Sequence, residues 1–136
     1  GTEGRLIADF LGREGVPVMT GPSLTDRSKP ELRGLSLDNA AALAAAGVRV
    51  AICTDHPETP IQYLSLCAAL AARAGMDEEE ALAAITINAA CIAGVDDRLG
   101  SLTIGKDADV VVLSGHPFDF KSRVQHVWID GQEVSL

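Results

Sequence analysis

The chain has 136 residues, the size of one ordinary domain; 47% are hydrophobic and only 4% aromatic, so Ala, Val, Leu and Ile must build the core. A formal charge of −8 argues against nucleic acid as a partner, because binding there needs a basic stripe to neutralise phosphates. No apolar stretch reaches the length of a membrane span, and the opening GTEGRLIADF has no apolar secretory segment, so the expectation is a cytoplasmic protein with no membrane partner.

Along the chain, Glu3 to Glu14 carries Leu6, Ile7, Phe10 and Leu11 at helical spacing, with Gly15 as its C-cap. VPVMT, Val16 to Thr20, reads as a short strand. The polar stretch from Gly21 to Gly34 has no apolar period and reads as an irregular loop. A loop in that place can line a binding face through residues such as Ser23 and Thr25, or it can be a solvated connector. Ser36 reads as the N-cap of an Ala-rich helix from Leu37 to Ala46, stopped by Gly47.

The next strand is the most telling. In VRVAICTDHP, Val48 to Pro57, five of the six residues from Val48 to Cys53 are apolar. Such a run predicts a strand buried on both faces, as in a parallel sheet. Pro57 has no N–H for a ladder, so the strand stops near Asp55. In parallel α/β folds the carboxyl ends of the strands carry the active-site face. Asp55 there can hold a cation or move a proton, with His56 beside it. It can equally cap the following turn.

Helices are expected over Ile61 to Ala74, ended by Gly75, and from Asp77 to about Ala93, ended by Gly94. Asp77 with Glu80 makes an acidic capping box, which gives the acidic run a structural role at a helix N-terminus. Beyond Gly94 the pattern changes to strands at Asp109 to Leu113 and Val124 to Ile129. Asp130-Gly131 then signals a two-residue hairpin returning through Val134. Residues 1–94 are thus expected to form an α/β unit and 95–136 a small antiparallel one. Cys53, Cys67 and Cys91 are odd in number and set in apolar runs, and read as free thiols in a reducing compartment.

Three stretches resemble the amidohydrolase superfamily, in particular imidazolonepropionase-like and dihydroorotase-like metal-dependent hydrolases. They are the strand ending in TDHP, the segment GMDEEEALAAITINAACIAGVDDRLGSLTIGKDADVVVLSGHP at residues 75–117, and VQHVWIDGQEV at residues 124–134. The match runs along nearly the whole chain but only the closing third or so of such an enzyme. The resemblance implies the C-terminal part of a distorted TIM barrel, contributing about two parallel strands with helices. It also implies strands of a small β-sandwich. It further implies hydrolysis of non-peptide C–N bonds, of the cyclic-amide or acyl-amino-acid type. One or two divalent metals, zinc by preference, would be the cofactor.

By motif Asp55 matches the family's eighth-strand aspartate, both metal ligand and proton acceptor. His56, Ser23 and Thr25 would line the substrate pocket. The family's His-x-His pair is absent, and the only histidines are His56, His116 and His126. GTEG at residues 1–4 resembles the stretch just after the family's sixth-strand histidine, which would precede Gly1. Arg5 stands where relatives often carry histidine; a solvent-facing helix position is the preferred reading. A complete barrel takes roughly 200 residues or more. The isolated chain is therefore expected to bind metal weakly and to catalyse nothing. The alternative is a non-catalytic module that covers its open edges by assembling as a homo-oligomer. An aspartyl-phosphate enzyme is a third and poorer fit, because the downstream Gly100-Ser101-Leu102-Thr103 and Lys106 are the wrong surroundings; the Gly105-Lys106-Asp107 turn is also no phosphate loop, lacking its preceding glycines and its Ser/Thr.

Overall fold

A computed structural model describes residues 2–135. Its centre is a pair of parallel strands, β1 (Val18–Thr20) and β2 (Val50–Ile52), in the register Val18↔Val50, Met19↔Ala51, Thr20↔Ile52. Arg49 O accepts from Val18 N at 2.9 Å, and Thr20 O accepts from Cys53 N at 2.9 Å, so the ladder continues to the strand ends. As its apolar run predicts, β2 is buried at every position, with Val50 fully enclosed.

The helices that enclose it are α1 (Ala8–Arg13), α2 (Asn39–Ala45), α3 (Leu64–Arg73), α4 (Glu78–Ala84) and α5 (Ile87–Ala93). α2 through α5 all touch β2. The contact surfaces are mostly alanine: Ala40, Ala41, Ala68, Ala71, Ala81 and Ala84 are buried, with Leu43, Cys67 and Met76 filling the gaps between them. Small side chains let backbones approach closely, which is how a core with so few aromatics reaches interior packing density.

Several elements depart from the sequence reading. The first helix begins as a 3₁₀ turn, Gly4–Ile7, before α1, and Leu6, Ile7 and Phe10 are exposed instead of packed. Ser36 is not a side-chain cap. The helix starts after Asp38 with no side-chain cap hydrogen bond, and Ser36 offers only its carbonyl, to Asn39 N at 3.3 Å. The helix expected from Asp77 to Ala93 is broken at Ile85 and Thr86. Asp77 does cap it, accepting from Glu79 N and Glu80 N at 2.9 and 3.1 Å. The Glu80 carboxylate, however, takes Asn88 Nδ2 at 3.1 Å across the break, and Thr86 Oγ1 donates back to Leu82 O at 2.7 Å. Side-chain oxygens and amides thus compete with the helix ladder at that point.

The tail is a three-stranded antiparallel sheet of β3 (Val110–Leu113), β4 (Val124–Ile129) and β5 (Gln132–Val134). Asp130 and Gly131 both have positive φ, 51° and 74°, as a type I′ hairpin demands. The sheet is largely exposed, and Phe118 is the tail side chain that packs against the helical core.

The strands approach most closely at Gly21, just beyond β1. A Cβ there would lie 2.0 Å from the carbonyl oxygen of Cys53, and its φ is +145°. Gly21→Ala should therefore lower unfolding free energy by about 3 kcal/mol or more in a denaturant titration. Gly47→Ala, with φ of +77° but nothing within 4 Å, should lower it by only about 1–2 kcal/mol. Equal costs at the two positions would show that the close approach does not constrain the fold.

Candidate functional site

Parallel pairing puts the loops that follow β1 and β2 at the same end of the sheet. Asp55 and His56 stand in the turn after β2, and Ser23 and Thr25 in the loop after β1. That turn is closed by Glu58 N donating to Asp55 O at 2.9 Å and Thr59 N donating to Thr54 O at 3.2 Å. Asp55 has φ of +51°, a conformation that Asp tolerates better than most residues. Its carboxylate is exposed, as is the imidazole of His56.

Under this exposed rim lies a polar layer. Among the described residues, the buried polar side chains are Thr20, Asn39, Thr54 and Thr59, and all four sit at this end of the sheet. Asn39 Nδ2 donates to Thr20 Oγ1 at 2.7 Å, while Asn39 Oδ1 accepts from Arg5 N at 2.9 Å. Thr59 Oγ1 donates to the carbonyl of Leu24 at 3.1 Å, tying the Asp55 turn to the β1 loop. Sequence reading did not single out Asn39 or Thr59, because a lone amide or hydroxyl carries no motif. Arg5 does not point freely to solvent, as preferred from the sequence. Its Nε lies 3.5 Å from Asp38 Oδ1 and its side chain is two-thirds covered.

Ser23 and Thr25 share one open groove with Asp26, Arg27 and Leu37. The Ser23 hydroxyl is buried and has no hydrogen-bond partner among the described residues. The other two histidines are held in or beside the tail sheet. His116 packs edge-on against Phe118, and His126 Nδ1 lies 2.7 Å from Glu133 Oε1. No group of three His, Cys, Asp or Glu side chains suited to a metal ion exists among the described residues. A single exposed carboxylate does not make a donor set, so the described residues alone do not supply the ligands of a catalytic metal.

Cys53, at the end of β2, has its thiol pushed up from the ordinary range by burial first, with the nearby Asp55 charge adding to the shift. The thiolate is the reactive species, so less of Cys53 is reactive near neutral pH than of an ordinary thiol. No disulfide joins the described cysteines. No helix among the described residues is long and apolar enough to cross a membrane.

Residues 23–134 match the amidohydrolase family. A crystal structure of an amidohydrolase from Thermotoga maritima has a TM-score of 0.94 and 47% identity, over 99% of this chain and 35% of that one. The imidazolonepropionase of Shouchella clausii is 40% identical over 80 residues, 55% of this chain and 17% of its own length. An adenosine deaminase from Xanthomonas campestris, crystallised with bound zinc, has a TM-score of 0.65 and 28% identity, over 92% of this chain and 33% of its own. The chain belongs to the amidohydrolase family and spans about a third or less of the length of these relatives.

The state of Cys53 gives a direct check on this end of β2. A raised pKa leaves less thiolate at any given pH, so iodoacetamide should label Cys53 several-fold more slowly than free cysteine at pH 8. The rate should climb as pH rises past the ordinary thiol range. Labelling as fast as a free thiol, located by peptide mass spectrometry, would mean that the strand end is open.

Proposed function

We propose that this member of the amidohydrolase family forms one wall of the active site of a metal-dependent hydrolase acting on non-peptide C–N bonds. A cyclic amide or an acyl-amino-acid is the substrate class. The observation that carries the reading is Asp55: a carboxylate in the left-handed region, exposed at the carboxyl end of a fully buried parallel strand. A carboxylate so placed can accept the proton of an attacking water, the usual work of a general base. His56, Ser23 and Thr25 would contact substrate from the same rim.

The cofactor belongs to the proposal as well. A divalent ion, zinc by the example of the deaminase neighbour, would take Asp55 as one ligand. Its remaining ligands would come from outside the described residues. Residues 1–94 would then be a segment of a (β/α) barrel and 95–136 part of a β-sandwich beside it.

A second reading has its own observation. Ile61, Leu102, Ile104 and Phe120 are all more than 60% exposed, which is unusual for large apolar side chains in a finished surface. A homo-oligomer that covers them, with no catalytic role, would account for this. Light scattering on the 136-residue chain decides whether it self-associates.

Asp55→Asn in the full-length protein should lower kcat at least about 100-fold on a panel of cyclic amides and N-acyl amino acids supplied with zinc. The isolated 136-residue chain should lose added zinc on dialysis and hydrolyse none of the panel. Unchanged kcat in the variant would overturn the role of Asp55. Zinc retained by the isolated chain would overturn the idea of a site completed elsewhere.

A further inference from the structure

We propose that Thr59 is the positioning residue of this site, locking the turn of Asp55 and His56 to the loop of Ser23 and Thr25. The proposal rests on the reading that Asp55 acts at the strand-end face. Thr59 is 1% exposed, although it lies in a loop four residues beyond an exposed aspartate. Loop residues are ordinarily solvated, and a buried hydroxyl is unfavourable unless it is paired.

The N–H and the hydroxyl of Thr59 are both used, and they serve different segments. Its N–H closes the turn on Thr54 O at 3.2 Å. Its hydroxyl crosses to Leu24 O at 3.1 Å, 35 positions earlier in the chain. Leu24 is the residue between Ser23 and Thr25, so one bond sets the height of both side chains relative to Asp55. At their roots the two segments are joined by the strand ladder, up to the bond from Cys53 N to Thr20 O, and by the approach of Gly21 to Cys53. Without the Thr59 hydroxyl the two loops would be joined at their roots and free at their tips. Reactive groups held about 1 Å off their productive positions lose much of their rate, so such a tie acts on kcat without touching substrate.

The test compares Thr59→Val, Thr59→Ser and Asp55→Asn in the full-length protein. Valine keeps the shape and removes the donor, while serine keeps the donor. Thr59→Val should raise amide hydrogen exchange together in residues 21–25 and 54–59, by roughly tenfold. It should also lower kcat on the amide panel by roughly tenfold while changing KM less, and Thr59→Ser should restore both. Exchange that rises only in 54–59, or a kcat that stays at the parent value while Asp55→Asn loses it, would overturn the proposal. If Asp55→Asn keeps full activity, the functional reading fails by itself. The tie is then judged on exchange: a joint rise that serine reverses upholds it, and its absence overturns it. A variant too unstable to purify is replaced by Thr59→Ala, read the same way.

Discussion

Three residues, Val50 to Ile52, are cut off from water on both faces of a strand, and the helical packing follows from that enclosure. A strand of this kind cannot alternate apolar and polar side chains, so its neighbours must supply cover on both sides. α2 through α5 do so with alanine faces, and Leu43 and Cys67 complete the layer. Burying Val50 and Ile52 is worth about 1.5–3 kcal/mol for each side chain. That gain depends on helices standing close to the sheet, and the small residues allow it. The close approach of Gly21 to the Cys53 carbonyl belongs to the same logic, extended past the strand end.

The polar layer at the carboxyl end is the counterpart of this apolar centre. Each buried hydroxyl or amide gives up water and must recover its hydrogen bonds inside the protein. A fold built only for stability would put apolar side chains there. The four buried polar side chains among the described residues instead gather under the exposed Asp55 turn. They link residue 5, the end of β1 and the turn after β2 through Asn39, Thr20 and Thr59. Hydrogen bonds are directional where apolar contacts are not, so this layer can hold loops in one arrangement.

Much of this was legible beforehand, for reasons that can be named. The buried strand, the Asp77 cap and the Asp130-Gly131 hairpin each rest on a local rule with little competition, and each stands where expected. The break at Thr86 was read as continuous helix, because the alanines on either side outweigh the weak helix formers Ile85, Thr86, Ile87 and Asn88. Asn88 reaching Glu80 is a tertiary choice among competing partners. The exposed face of Leu6, Ile7 and Phe10 escaped notice for a different reason: periodicity states which side chains share a face, not whether anything covers it. At the site, Asp55 was visible from the strand it ends. Thr59 and Asn39 were not, since their importance lies in what they bridge across 35 and 34 positions.

Two aspartates of the chain share nearly the same backbone strain, and the comparison between them shows what the left-handed conformation does and does not mean. Asp55 and Asp130 both have φ of 51°. At Asp130 a type I′ turn requires positive φ, Gly131 follows with the same sign, and the N–H groups of Asp130 and Gly131 donate beyond the hairpin to Asp109 Oδ1 and Ala108 O. Strain there carries no functional message. At Asp55 the following residues are His56 and a proline, neither of which favours such a turn, and the segment is held by bonds to Thr54 and Leu24 instead. The turn is closed by its own backbone bonds, Glu58 N to Asp55 O and Thr59 N to Thr54 O, and the Thr59 hydroxyl joins it to the loop opposite. Positive φ is therefore no mark of function by itself: Asp tolerates this region better than most residues, and both turns take bonds from outside them. The two turns differ in where they stand: the Asp55 turn follows a fully buried strand and lies beside the buried Thr54 and Thr59, whereas the Asp130 turn joins two largely exposed strands.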